Sequence, residues 1–370
     1  MNKSMNRRMN ESRALKSLSG HLEILDNGHG FLRRMDHNFQ PGPADTFVPA
    51  GLIKAHSLRE GVFIEGKGTS GAAAGTQRKL DTIRTIDHRP ARAFANVVPL
   101  QQQTSINPTQ RFILTTGERD ILGSVLDLIV PIGRGQRGLI IAPPKTGKTT
   151  ILKHMAGAII ANHPDAAVFV LLVDERPEEV TDFKRGLTGA HVLHSSADQS
   201  IAQHMRITRL AMHTAIRSAE AGHDAVVFID SLTRMARAFN TETQSYGRTM
   251  TGGLAANALD IPRQLFGAAR NLEHGGSLTI IATILIDTGS RMDDIIFQEF
   301  RGTGNMDLML SRECAEHRLW PAVDIKQSGT RKEELLMDAE AYRKVIQVRR
   351  GLAKLDPVGA MGALREYLKP

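Results

Sequence analysis

The residues with the clearest chemical purpose lie at Ala142-Pro143-Pro144-Lys145-Thr146-Gly147-Lys148-Thr149. An apolar run, Leu139-Ile140-Ile141, comes before them. A helix-periodic run (Ile151, Leu152, Met155, Ile159) comes after. A strand, a Gly-Lys-Thr turn and a helix together form a phosphate loop, in which backbone N–H groups and the helix dipole meet the anion. Lys148 is placed to reach the β- and γ-phosphates, and Thr149 to give its hydroxyl to Mg²⁺. Pro143, Lys145, Thr146, Gly147 and Thr150 complete the expected cradle. Ala142 stands where a first Gly is usual. A chance Gly-Lys-Thr at a helix start is the bland alternative, and the flanking strand and helix argue against it.

Such a loop needs acidic partners. Val226-Val227-Phe228-Ile229-Asp230 is an apolar strand ending in Asp, which suits metal contact. Leu171-Leu172-Val173-Asp174-Glu175-Arg176 is another, and its Glu175 is placed to activate water. Either acid alone is as readily a solvated strand end. Two in this order fit the carboxyl edge of an open α/β sheet, where ligands bind.

Elements that can position these groups are visible. From residue 121 onward, strand-like runs alternate with helical periodicity. One helix carries Ile201, Met205, Thr208, Met212 and Ile216 on one face. This pattern implies a parallel sheet covered on both sides. Before it, residues 20–95 hold short apolar alternations separated by Asp26-Asn27-Gly28 and Pro41-Gly42-Pro43, the pattern of a small antiparallel barrel. Residues 1–19 read as a tail or short helix, 66–75 as a mobile loop and 96–120 as a linker. The expected division is therefore 1–19, 20–95, 96–120 and 121–370.

Composition narrows the class. The chain has 370 residues, 47 Lys+Arg against 39 Asp+Glu and a net charge of +8, a mild lean toward polyanions. A single cysteine, Cys314, excludes an internal disulfide framework. No apolar run is long enough to span a bilayer and no secretory signal is apparent, so a cytoplasmic location and no membrane partner are expected. The scattered histidines show no metal-ligand spacing, so no structural zinc is expected.

Several blocks carry a family likeness. They include Gly135-Gln136-Arg137-Gly138, Asp174-Glu175-Arg176-Pro177-Glu178-Glu179-Val180-Thr181 and Asp230-Ser231-Leu232-Thr233-Arg234. Further along come Thr251-Gly252-Gly253, Gly302-Thr303-Gly304-Asn305-Met306 and Ser328-Gly329-Thr330-Arg331-Lys332. In this order they resemble the bacterial Rho family of transcription termination factors, including the Ala142 form of the loop. The resemblance implies a RecA-like α/β ATPase domain with an N-terminal OB, cold-shock-like barrel. It implies an RNA-dependent ATPase and 5′-3′ RNA translocase, using ATP and Mg²⁺, that releases RNA from the RNA polymerase elongation complex. The assembly implied is a homo-oligomeric ring, expected to be a hexamer.

By the same resemblance Glu175 is the catalytic Glu, Asp230 the metal-associated Asp and Arg331 an arginine finger for the neighbouring subunit. Arg176 senses the γ-phosphate, Arg318 is a second interface Arg, and Trp320 stands where the family usually has a Phe against adenine. Arg248, Thr249 and Thr251 fall in one channel loop; Thr288, Gly289 and Arg291 fall in another. The family has Lys where Arg248 and Arg291 stand. On the barrel the resemblance assigns RNA contact to His29, Phe31, Arg33, Asp45 and Phe47. His29 replaces an aromatic, which predicts weaker or differently tuned RNA loading. Little of the family's usual helical N-terminal subdomain precedes the barrel. A specialised paralogue therefore stays open. So do a rotary ATP synthase catalytic subunit, and a regulatory RNA-binding ring that hydrolyses ATP poorly.

Overall fold

The computed structural model describes residues 15–69, 78–244, 253–255 and 257–369. Two compact units emerge. One comprises residues 1–102 with 209–221, the other 103–208 with 222–370.

In the first unit, β1 (Lys16–Ile24), β2 (Gly30–Arg33), β3 (Thr46–Val48), β4 (Phe63–Thr69) and β5 (Arg78–Ile86) pair in the order β3-β2-β1-β4-β5. A parallel β3–β5 pairing closes them into a barrel. Period-two alternation sends Leu18, Leu22, Leu32, Val48, Ile64 and Leu80 inward to one apolar core. β1 starts before the boundary read from composition, because Leu18 belongs to that core. Residues 66–69 lie in β4 rather than in a loop; 70–77 fall outside the described residues. Gly66 and Gly68 are required where β4 crosses β5. A Cβ there would sit 2.2 Å from the Thr82 carbonyl oxygen and 2.0 Å from that of Lys79. The register shifts at these positions are the bulges that bend the sheet.

The second unit is built on parallel strands β6 (Arg137–Ala142), β7 (Ala167–Glu175), β8 (His191–Ser196), β9 (Asp224–Asp230), β10 (Ser277–Leu285) and β11 (Met306–Met309). Their spatial order is β8-β7-β9-β10-β6-β11. Strands β6, β7, β9 and β10 are buried along nearly their whole length, which explains their unbroken apolar runs. Helix α1 (Lys148–Asn162) buries Ile151, Leu152, Met155 and Ile159, the stripe expected from the sequence. Helices α2 (Pro177–Gly186), α3 (Ile201–Glu220, of which residues 209–220 belong to the first unit), α4 (Leu232–Gln244) and α5 (Arg291–Arg301) follow strands in turn. Phe112 and Leu114, inside the polar stretch 96–120, are fully buried in this unit's core. Among the described residues no helix is long and apolar enough to cross a membrane.

Candidate nucleotide site and nucleic-acid face

The 143–147 turn leaves the carboxyl end of β6 and enters α1. Lys145 (φ 67°) and Gly147 (φ 83°) both adopt left-handed backbone, which curls the turn. The Thr146 hydroxyl donates to the Pro143 carbonyl at 2.7 Å and closes it. Lys148 Nζ sits 2.8 and 2.7 Å from the two Asp230 oxygens and 3.3 Å from Thr149 Oγ1. Thr283 Oγ1 donates to Asp230 Oδ1 at 2.8 Å. The Asp230 carboxylate is fully buried and held from two sides.

Glu175 ends β7, the strand next to β9, and is 1% exposed. Its Oε1 accepts the Arg176 backbone N–H at 3.1 Å and lies 3.3 Å from Arg234. Its Oε2 is buried with no hydrogen-bond partner. Burial pushes the carboxyl up from the ordinary range; the nearby Asp230 charge adds to this, while Arg234 opposes it. A buried carboxylate oxygen left unpaired beside a phosphate loop suits an acceptor for a water proton. The Arg176 side chain is exposed and pairs with Glu179 at 3.0 Å.

Trp320 lies against the loop: a Cβ on Gly147 would come within 3.0 Å of its ring. With Ile121, Leu122, Thr150, Ile151 and Pro321 it lines an apolar cavity of about 330 Å³ beside Gly147. A planar base fits such a slot by stacking. A second cavity of about 530 Å³, also bordered by Trp320, is lined by Pro144, Lys145, Asp287, Arg312 and Arg318. Lys148, the Thr149 hydroxyl, Asp230 and the apolar slot together fit a triphosphate nucleotide and its divalent cation.

Arg331 is elsewhere. Its N–H donates to the Asn305 carbonyl, and Asn305 N–H donates to the Arg137 carbonyl at the start of β6, both at 2.9 Å. That is the amino edge of the sheet, and six-residue β6 separates it from the loop by roughly 20 Å. Arg331 is exposed, and among the described residues its guanidinium makes no hydrogen bond. Burial, then Arg270 and Arg331, lower the affinity of Arg137 for its proton, which marks three cations close together.

Two groups in the pocket carried no role in the sequence reading. Arg234 also donates to the Asp174 carbonyl, so it ties the end of β7 to α4. Thr283 is a polar residue buried in an apolar strand. The block holding Arg234 was a visible signal; Thr283 had none beyond that polarity.

Of the expected channel residues, Arg248, Thr249 and Thr251 lie outside the described residues. Thr288 Oγ1 donates to Asp293 at 2.7 Å, Gly289 takes φ 76°, and Arg291 begins α5.

On the barrel, Phe31 and Phe47 are cross-strand partners with ring centroids 5.8 Å apart. His29 lies 5.1 Å from Phe47, and its Nδ1 accepts the Ala50 N–H at 3.4 Å. Arg33 differs from expectation. It is buried, bonded to Glu23 at 2.5 Å and to Asp45, while its guanidinium lies 4.6 Å from the Phe31 ring centre. Its charge is neutralised by two carboxylates, so it supports the Phe31 ring rather than offering a free cation. Asp45 also accepts the Gly42 N–H at 2.6 Å.

Fold and site together define a RecA-like P-loop ATPase module in one chain with an OB-type barrel. Residues 123–330 match the model of the ATP synthase alpha/beta family nucleotide-binding domain, and residues 18–91 that of the Rho termination factor RNA-binding domain. The chain is similar to transcription termination factor Rho of Chromobacterium violaceum, at 43% identity over 95% of this chain and 84% of that protein. It is likewise similar to Rho of Aquifex aeolicus, at 42% over 97% and 83%. A solved type III secretion ATPase shares the fold, with TM-score 0.61 at 24% identity over 78% of each chain. The chain belongs to the transcription termination factor Rho family and is an ATP-hydrolysing enzyme with an RNA-binding domain.

Proposed function

We propose that this chain is an RNA-dependent ATPase that assembles as a hexameric ring, translocates along single-stranded RNA in the cytoplasm and releases transcripts from RNA polymerase. The observation that carries this reading is the placement of Arg331. Lys148, Asp230 and Glu175 gather at the carboxyl edge of the sheet, while Arg331 stands at the amino edge, out of their reach. A second copy can supply the missing cation to charge developing on the γ-phosphate.

Within one subunit the roles divide. Thr149 and Asp230 would hold Mg²⁺, which would supply charge neutralisation to the phosphates. Lys148 moves from Asp230 to the phosphates. Glu175 takes the water proton on its unpaired oxygen, and Arg234 keeps that carboxylate oriented. Trp320 stacks the base, with Arg318 beside it, and Arg176 reports on the γ-phosphate. The loops carrying Arg248, Thr249 and Thr251, and Thr288, Gly289 and Arg291, grip the RNA backbone. His29, Phe31 and Phe47 stack bases, with Arg33 and Asp45 as their support.

Steady-state ATP hydrolysis with and without a C-rich single-stranded RNA tests this. Strong stimulation is expected. A well-formed ring whose turnover ignores RNA would overturn it and favour a paralogue whose barrel has lost its loading role.

A further inference from the structure

The outer face of the barrel does not end at Phe31 and Phe47. Directly paired residues on neighbouring strands share a face. Phe47 pairs with Phe31 across β3 and β2. One step along β2, Arg33 pairs with His21 of β1, and His21 pairs with Phe63 of β4. The ring centres of His21 and Phe63 are 5.0 Å apart. Those of Phe63 and His88 are also 5.0 Å apart, with planes tilted by only 31°. The stripe therefore runs Phe47, Phe31, Arg33, His21, Phe63, His88 over four strands, about 14 Å between the first and last of them.

The second half of this stripe is held in place. Buried Phe39 meets the His21 ring edge-on at 5.5 Å, and His21 Nδ1 donates to the Gly61 carbonyl at 3.3 Å. Asp87 accepts the Phe63 N–H at 2.7 Å and returns its own N–H to the Phe63 carbonyl at 2.8 Å. That two-bond clamp fixes the turn carrying His88 (φ 62°), which is exposed. Phe63 and His21 remain partly exposed. Further along β4 the same face carries Glu65, which pairs with Arg84.

We propose that His21, Phe63 and His88 form a second base-stacking subsite, which takes the nucleotides of single-stranded RNA next to those stacked on Phe31 and Phe47. An OB fold covers at least about four nucleotides. One aromatic pair cannot stack them all, and this trio lies on the same face beyond the Arg33 cluster. It also compensates for the smaller stacking area of His29. The proposal rests on the reading that Phe31 and Phe47 bind RNA.

The test is fluorescence anisotropy of the nucleotide-free full chain with labelled oligocytidylates of about three and about eight nucleotides. Phe31→Ala should weaken both, by about tenfold. His88→Ala and Phe63→Leu should each weaken the longer RNA by about three- to tenfold and leave the shorter one unchanged. If both variants bind the longer RNA like wild type while Phe31→Ala does not, the subsite is wrong and the primary reading stands. If Phe31→Ala changes neither RNA, the primary reading itself fails. Should Phe63→Leu lose thermal stability, His88→Ala decides, because that side chain is exposed and its loss leaves the core intact.

Discussion

The two edges of the parallel sheet treat charge in opposite ways. At the carboxyl edge, opposite charges hold one another: Lys148 with Asp230, and Arg234 with Glu175. At the amino edge, like charges gather: Arg331 stands near Arg137 and Arg270. Arg137 and Arg270 spend their guanidinium groups on the carbonyls of Thr303, Gly267 and Ala268, whereas Arg331 makes no such bond among the described residues. An acid that feels Arg331, Asp307, is partly buried, and desolvation raises its proton affinity against the pull of Arg331 and Arg301. One edge thus pairs its charges with one another, and the other carries an Arg331 guanidinium with no hydrogen-bond partner among the described residues. Within one subunit Arg331 and the Lys148, Asp230 and Glu175 cluster therefore stand at opposite edges of the sheet.

The largest expected effect comes from removing that cation. Arg331→Ala should lower turnover by roughly 10³- to 10⁵-fold while nucleotide binding and assembly persist. Mixing sharpens the comparison. Rings assembled from Arg331→Ala and Glu175→Gln subunits should regain turnover that neither variant shows alone. Some interfaces then join an intact Glu175 to an intact Arg331. Mixed rings as inactive as their parents would place both groups in the same subunit's site.

Glu175→Gln probes the other edge and should cost about 10²- to 10⁴-fold in turnover. It should also raise stability. Burial favours the protonated Glu175 in the folded state, so its proton affinity there exceeds the unfolded value. Stability then falls as pH rises from the unfolded pKa through the raised folded one, and above that window the ionised group is a standing cost. Gln keeps the Arg234 and Arg176 contacts without the charge. A gain of about 0.5–2 kcal/mol in denaturant unfolding at neutral pH is expected, and a loss of stability would show that the carboxylate is better solvated than its burial implies. The same shift predicts that turnover drops about tenfold per pH unit on the acid side, beginning above the usual carboxylate range. A rate that stays flat into that range removes Glu175 as the base.

The carboxyl edge was legible in the sequence because each of its groups ends a recognisable element. Lys148 starts a periodic helix, and Asp230 and Glu175 close apolar strands. The parts that were not legible depend on register between distant segments. Thr283 reaches Asp230 only because β10 lies beside β9, and no local pattern states that neighbourhood. The same applies to the barrel. Alternation puts Arg33 on the outer face, but nothing local says that Glu23 and Asp45 converge on it. Phe112 and Leu114 were hidden among polar residues because two apolar positions carry no period. Arg331 was assigned by likeness to a family; its distance from Lys148 appears only when the strand ends are placed.

The smallest effect tests how the carboxyl edge holds a base. Trp320 is 40% exposed, and among the lining residues of its cavity it offers the widest flat surface. Its contact with Gly147 joins the apolar cavity to the phosphate loop, so its size sets both the flat area of the cavity wall and the room left to the loop. Phe has a narrower ring but the same stacking geometry. Trp320→Phe should raise the KM for ATP no more than about threefold and leave kcat unchanged, whereas Trp320→Ala should raise KM about tenfold or more. Because this is the one tryptophan of the chain, its fluorescence reports the same contact directly. Quenching on ATP addition that survives Arg331→Ala would show that the carboxyl edge binds nucleotide unaided. Quenching that disappears with Arg331 would mean that the amino edge of a neighbour is needed for binding as well as for turnover.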